Sequence, residues 1–200
     1  MNWNRCYPTF RNTRVWIDET YIEYAGAEHS LERFAASREN VFVCKSMSKA
    51  YALSGVRVAY LVGNAVELAR LRSFAPPWSV SLPAQVAAVA ALSANEYYQS
   101  CYAETTRLRE ALATELRDRL GFSVVPGEAN FLLCHIPEHM LTAAEICSRA
   151  RQMRVYLRDA GTISSSLGDR ALRIAVKDGT KNEIVLHVLQ SILGRAAGAA

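Results

Sequence analysis

Short apolar runs constrain this chain most. Residues 15–17 (Val-Trp-Ile), 41–44 (Val-Phe-Val-Cys) and 56–62 are brief and apolar, and the first two run straight into Asp18-Glu19 and Lys45-Ser46. Runs of this kind read as buried strands of a parallel sheet. Between the first two, residues 30–37 have helical spacing, with Leu31, Phe34 and Ala35 on one face. Strand and helix patterns that alternate this way point to an α/β fold. Helical spacing returns at 66–74, and Pro76-Pro77-Trp78 then excludes helix. Residues 83–120 form a long tract rich in Ala, Leu, Glu and Arg that reads as one helix or as two bent near 93–95, with Gly121 as the stop. Strands are expected at 122–125, 130–135, 155–158 and 171–176. Helices are expected at 142–153 and 180–193, opened by the capping pairs Thr142/Glu145 and Thr180/Glu183. The last seven residues should fray. A boundary near Pro76-Pro77 divides the chain into a partial α/β domain (1–78) and a connecting helix with a smaller α+β domain (79–200).

Several classes of protein are excluded. With 50% hydrophobic and 21% charged residues, the chain is not disordered. No apolar run approaches the roughly 18–20 residues of a membrane span. The first residues hold no apolar h-region, so no secretory signal is expected. Five cysteines include no CxxC pair, and neither they nor the histidines have metal-ligand spacing, so no metal is expected. Reduced thiols and a cytoplasmic location follow as the expectation. A formal charge of +4 falls short of a nucleic-acid footprint, and Arg149, Arg151, Arg154 and Arg158 read mostly as a solvated helix face. The mildly basic balance favours small anionic ligands.

Two segments can carry chemistry. The first follows the strand at 41–44 and places Ser46, Ser48, Lys49 and Arg57 within twelve residues. In open α/β sheets, ligands sit beyond the carboxyl ends of strands. Two hydroxyls and a planar guanidinium suit a phosphate. A lysine beside another cation, partly desolvated, becomes nucleophilic toward an aldehyde. Equally, a serine here can simply cap a helix and Lys49 can be solvated. The second segment is Asp18-Glu19-Thr20-Tyr21, whose carboxylate can hold a protonated ring nitrogen and whose phenol can reach the same ligand, or which can merely cap a turn. Near the C-terminus, Arg173 and Ala175 alternate with Leu172, Ile174 and Val176, which leaves Arg173 facing either a cleft or solvent.

Together these segments resemble the fold-type I, class I/II pyridoxal-phosphate aminotransferases. The lysine signature is Ser46-Met47-Ser48-Lys49, with Gly55 six residues on and Arg57-Val58-Ala59 following. The strand-Asp-Glu-x-Tyr element, Pro76-Pro77-Trp78-Ser79-Val80-Ser81, and the pair Val155-Tyr156-Leu157-Arg158 and Leu172-Arg173-Ile174-Ala175-Val176 are similar to the histidinol-phosphate aminotransferase branch. The resemblance implies part of the large, mostly parallel-sheet domain of the pyridoxal-phosphate transferase fold plus the C-terminal small domain. It implies pyridoxal 5'-phosphate as cofactor, with Lys49 as its imine-forming and proton-shuttling amine. Asp18 would pair with the ring nitrogen, Tyr21 with the ring 3-oxygen, and Ser46, Ser48 and Arg57 with the phosphate. Arg173 would bind a substrate carboxylate, and Arg158 a side-chain phosphate or carboxylate.

Only seventeen residues precede Asp18, whereas family members carry a long N-terminal portion with a glycine-containing phosphate loop, a ring-stacking aromatic and an Asn-Pro-x-x-Pro segment. The chain therefore resembles the C-terminal part of such an enzyme. The expected function is amino-group transfer between an amino acid or amino-alcohol phosphate and a 2-oxo acid. Decarboxylation of a phosphorylated amino acid is the near variant. The other readings are a non-catalytic truncated remnant, and an assembly half that pairs with a partner chain. The expected partners are the amino donor, the 2-oxo acid, and a second copy or a partner chain supplying the missing portion, with no nucleic acid and no membrane.

Overall fold

The computed structural model describes residues 7–197, arranged as two compact units, 1–102 and 103–200. In the first unit, β1 (Val15–Asp18), β2 (Val41–Ser46) and β3 (Ala59–Val62) form a three-stranded sheet in that order. β1 and β2 are parallel in the register Val15↔Val41 to Asp18↔Cys44. β3 runs antiparallel to β2, with Val43 opposite Val62 and Ser46 opposite Ala59. The sheet is thus mixed, and β1 is half-exposed rather than buried on both faces. β3 also starts three residues later than the apolar run suggests, because residues 54–56 turn as a 3-10 helix and Arg57 adopts a left-handed backbone (φ 54°).

Alternation along the strands gives the sheet two different faces. Val15, Ile17, Val41 and Val43 pack on Leu31, Phe34 and Ala35, which belong to or adjoin the short helix α2 (Glu32–Ala36). One turn of helix, α1 (Ile22–Ala25), precedes it. The opposite face carries Trp16 stacked on Phe42 at 4.7 Å, and then Asp18, Cys44 and Ser46 along the same rows. Helix α3 (Ala65–Arg72) is capped by the Asn64 side chain, which accepts from the Val66 amide at 2.9 Å. Two further helices, α4 (Leu82–Ser93) and α5 (Asn95–Leu120), occupy the long helical tract and are separated at Ala94. Ala84 and Ala91 of α4, with Tyr98 of α5, pack on Met47 and Val58. The Pro76-Pro77 break therefore lies within the first unit, whose border falls inside α5.

In the second unit, β4 (Ser123–Val125), β5 (Phe131–His135), β6 (Arg158–Asp159) and β7 (Ala171–Ala175) form an antiparallel sheet in the order β4-β5-β7-β6. Helices α6 (Ala143–Gln152) and α7 (Gly179–Ala197) and the C-terminal part of α5 contribute to its core. Leu116, Ile146, Leu172, Ile174, Leu186 and Leu189 are essentially inaccessible there. The alternation expected of β7 is present: Leu172, Ile174 and Val176 are buried, Arg173 is half-buried and Ala175 exposed.

Both ends of this unit test local helix chemistry. The capping box at α6 forms as expected, with the Thr142 amide donating to Glu145 Oε2 at 2.9 Å and the Glu145 amide donating back to Thr142 Oγ1 at 3.4 Å. These bonds also hold the Glu145 carboxyl below its ordinary range. Thr142→Ala should cost about 1 kcal/mol and lower the melting temperature by roughly 2–4 °C, measured by calorimetry. At α7 the expected Thr180/Glu183 pair is replaced. Asp178 accepts from the Lys181 amide at 2.9 Å and from Lys181 Nζ at 2.6 Å, so an acidic residue just ahead of Gly179 does the capping. The expected strand at 155–158 shrinks to the two residues of β6. The tail stays helical to Ala197, and residues 198–200 lie outside the described residues, as do residues 1–6 with Cys6. Cys44, Cys101, Cys134 and Cys147 are outside any disulfide, and burial pushes the Cys134 thiol up to about 12. Among the described residues, no helix is long and apolar enough to cross a membrane.

Candidate active site

Parallel pairing sends the carboxyl ends of β1 and β2 out of the same edge of the sheet. Asp18 closes β1 directly beside Cys44, and Ser46 follows two residues later on the same face of β2. Asp18 is exposed, and its Oδ1 accepts from the Thr20 amide at 2.9 Å and the Thr20 hydroxyl at 2.5 Å. This is the turn-capping role open to it from sequence, and it holds the carboxylate in one orientation. Burial, and then the Asp18 charge, push the adjacent Cys44 thiol up. Tyr21 stands half-buried at the start of α1, three residues beyond Asp18.

Beyond β2 the chain enters a tight turn, and no α-helix starts there, so neither serine is a helix cap. The Ser46 and Ser48 hydroxyls are 2.8 Å apart, and the Ser48 amide donates to Ser46 Oγ at 3.4 Å. The β2–β3 ladder continues past Ser46↔Ala59 through the Met47 amide bonded to the Val58 carbonyl at 3.2 Å. Arg57 is exposed, and its guanidinium donates to the Ser54 carbonyl at 3.2 Å. Both Ala52 (φ 55°) and Arg57 (φ 54°) are left-handed. Such conformations cost non-glycine residues about 1–3 kcal/mol each and concentrate at functional turns.

Lys49 sits on this turn with its side chain exposed. The partial desolvation expected for it is therefore not supplied by the residues around it in this unit. Ser46, Ser48, Arg57 and Asp18 nevertheless form the donor and acceptor set that pyridoxal phosphate calls for. Two hydroxyls and a guanidinium suit its phosphate, a carboxylate suits its ring nitrogen, and a primary amine stands on the same turn. The set fits the group.

Arg158 and Arg173 belong to the second unit. They are direct cross-strand partners in the β6–β7 pair, so their side chains share one face. The Arg173 guanidinium lies over the Phe131 ring at 3.9 Å. Like charges directly opposite one another in a sheet are destabilising, and an anion between them relieves that cost.

Sequence reasoning missed a second cluster on the other face of the first sheet. Lys45 is buried, and its ammonium lies 2.9 Å from Glu23, 3.0 Å from Glu32 and 3.5 Å from Glu19. Glu19 also accepts from the Leu31 amide and the Ser30 hydroxyl, each at 2.7 Å, tying β1 to the start of α2. The neighbours Asp18 and Glu19 thus serve opposite faces. The available signal was a lysine at the inward position of the alternating row Val41, Val43, Lys45.

Residues 9–192 match the family model described as aminotransferase class I and II. The chain is 32% identical over 179 residues to histidinol-phosphate aminotransferase from Methanocaldococcus jannaschii, an alignment covering 90% of this chain and 47% of that protein. It thus spans about half the length of the curated relatives it matches. Among solved structures, histidinol-phosphate aminotransferase from Clostridium acetobutylicum superposes with a TM-score of 0.85 at 22% identity, over 95% of this chain and 57% of that one. L-threonine-O-3-phosphate decarboxylase from Porphyromonas gingivalis gives 0.80 at 24%, over 94% and 57%. Histidinol-phosphate aminotransferase from Sinorhizobium meliloti, in complex with pyridoxal-5'-phosphate, gives 0.80 at 21%, over 90% and 50%. These likenesses share the mixed α/β fold described above. On the extent of the family match, the chain belongs to the aminotransferase class I and II family.

Proposed function

We propose that this chain takes part in pyridoxal-phosphate-dependent transfer of an amino group between an amino acid or amino-alcohol phosphate and a 2-oxo acid. The Lys49 turn carries this assignment: an amine directly follows two touching hydroxyls at a strand's carboxyl end, with Arg57 two residues ahead of β3 and Asp18 on the same sheet face. Residues 1–78 would then be part of the cofactor domain, and residues 79–200 the connecting helix with the small domain. When bound, pyridoxal phosphate supplies an electron sink for negative charge at the substrate Cα. Ser46, Ser48 and Arg57 would hold its phosphate, Tyr21 its 3-oxygen, and Asp18 would keep its ring nitrogen protonated. Lys49 Nζ would take the proton from the substrate Cα and carry it through the 1,3-prototropic shift. Arg173 would bind the substrate carboxylate or equivalent anion, and Arg158 would add a second cation for a phosphate.

The chain spans half of its relatives, so the partner in this reading is a second copy or a chain carrying the remaining length. The test is amino transfer from L-histidinol phosphate to 2-oxoglutarate, with glutamate quantified by mass spectrometry, by the chain alone and after co-expression with its neighbouring open reading frames. Glutamate formation that disappears in Lys49→Ala supports the proposal. Carbon dioxide released from O-phospho-L-threonine without glutamate would move the assignment to the decarboxylase variant favoured by the second structural likeness. Neither product under conditions where the cofactor binds would overturn amino transfer.

A further inference from the structure

A cleft of about 230 Å³ opens on the first unit behind the sheet, on the face that carries Lys45 rather than Asp18. Its lining includes Glu23, Glu32, Lys45, Tyr51, Tyr98 and Tyr102. Three observations concern its contents. The first is charge. Lys45 is the single cation among the lining residues, yet it meets the lining carboxylates Glu23 and Glu32 and, outside the lining, Glu19, so carboxylates outnumber the cation around a mostly buried centre. The second is the walls. The Tyr51 and Tyr98 rings meet edge to face with centroids 5.1 Å apart, and Tyr102 lies 6.2 Å from Tyr98, so aromatic surface adjoins the carboxylates. The third is an orphan. The Tyr98 hydroxyl donates to the Tyr51 carbonyl at 3.2 Å and that of Tyr60 to Glu32 at 2.9 Å, but the buried Tyr102 hydroxyl has no hydrogen-bond partner among the described residues. Tyr102 is only 6% exposed, and a buried unpartnered hydroxyl is a cost that a bound donor removes.

We infer that this cleft is a binding site for an organic cation, an alkylammonium or alkylguanidinium head group. Its N–H donors would meet Glu23, Glu32 and the Tyr102 hydroxyl, and its stem would lie against the tyrosine rings. Each feature selects for that chemistry. The excess carboxylate charge requires a cation, and aromatic faces add favourable cation–π contact. Among the described residues, no group of acidic, histidine or cysteine side chains has a metal-ligand arrangement, which favours an organic ion over a metal. The rim holds the exposed Asn95 and Gln99, so the head group has a polar entrance. Two sources supply the same chemistry: a free amine, or a lysine or arginine side chain from another polypeptide segment.

Isothermal titration of the 200-residue chain without pyridoxal phosphate tests the site. The probes are n-butylammonium, N-methylguanidinium, the neutral isostere n-butanol, and N-acetyl-L-lysine N-methylamide, at matched ionic strength. Saturable binding by at least one cationic probe, with none by butanol, is expected. A free amine that binds and a lysine amide that does not identifies a solution ligand, whereas tighter binding of the lysine amide identifies a side chain; either supports the site. Glu23→Gln should weaken binding about tenfold or more. Because that variant also disturbs Lys45, Tyr102→Phe serves as the second. It removes an already unpartnered hydroxyl, so the fold should keep its stability while binding falls severalfold. Equal responses to butanol and butylammonium, no saturable response to any cation, or unchanged binding in Tyr102→Phe would overturn the inference.

Discussion

Borohydride reduction after incubation with pyridoxal phosphate should fix the cofactor on the Lys49 peptide, and Lys49→Ala should abolish that label. The chain makes this a clean measurement, because it holds four lysines, at 45, 49, 177 and 181. Lys45 is buried among three carboxylates and is a poor competitor. Lys181 is engaged by Asp178 at 2.6 Å. Lys177 is exposed and reports the background reactivity of a solvated amine toward any aldehyde. Selectivity for Lys49 must come from the phosphate hydroxyls and Arg57 raising the local concentration of aldehyde. Arg57→Ala should therefore weaken labelling roughly tenfold or more, the worth of a charge-assisted hydrogen bond, without removing it. Peptide mapping by mass spectrometry reads both. Labelling of Lys177 and Lys49 to the same extent, or indifference to Arg57→Ala, would show that the Lys49 turn is no cofactor site in this chain. The readout does not depend on turnover, so it separates failure of cofactor binding from failure of amino transfer.

Lys45→Ala should destabilise the chain by about 3–5 kcal/mol, the usual consequence of removing one partner from a buried ion cluster. The variant leaves Glu19, Glu23 and Glu32 facing one another, with Glu19 and Glu23 nearly inaccessible. Urea titration monitored by circular dichroism measures the loss. A cost under about 1 kcal/mol would mean the carboxylates behave as a solvated surface group. At the alkaline end the deficit should shrink as Lys45 itself loses its proton. Burial alone lowers the Lys45 pKa, but hydrogen bonds and charge from Glu23 and Glu32 outweigh it and raise the pKa above 10.5. The stabilisation that follows from this shift is fully present below pH 10.5 and is lost as pH climbs through the folded-state value. Subtracting the pH profile of Lys45→Ala isolates it from tyrosines that titrate nearby.

Features encoded by neighbours in the chain were legible from sequence. Short apolar runs marked β1 and β2, the Thr142/Glu145 spacing marked a capping box, and the helical tract showed its break near 93–95. The lysine signature identified the family because its residues lie within fourteen positions. Errors arose where two local solutions competed. Asp178 outcompeted Thr180 as the cap of α7, and a left-handed Arg57 delayed β3 inside an apolar run that reads as strand throughout. Tertiary structure alone decided the rest. Only the β6–β7 register makes Arg158 and Arg173 cross-strand neighbours, and only the parallel β1–β2 pairing sends Asp18 and Glu19 to different tasks. The Lys45 cluster draws its carboxylates from β1's end, α1 and α2, between 13 and 26 positions away in sequence. Turns, caps and periodicity are short-range and survive in one dimension. A buried charge finds its partners only after the sheet has closed water out, so its meaning appears in the folded chain.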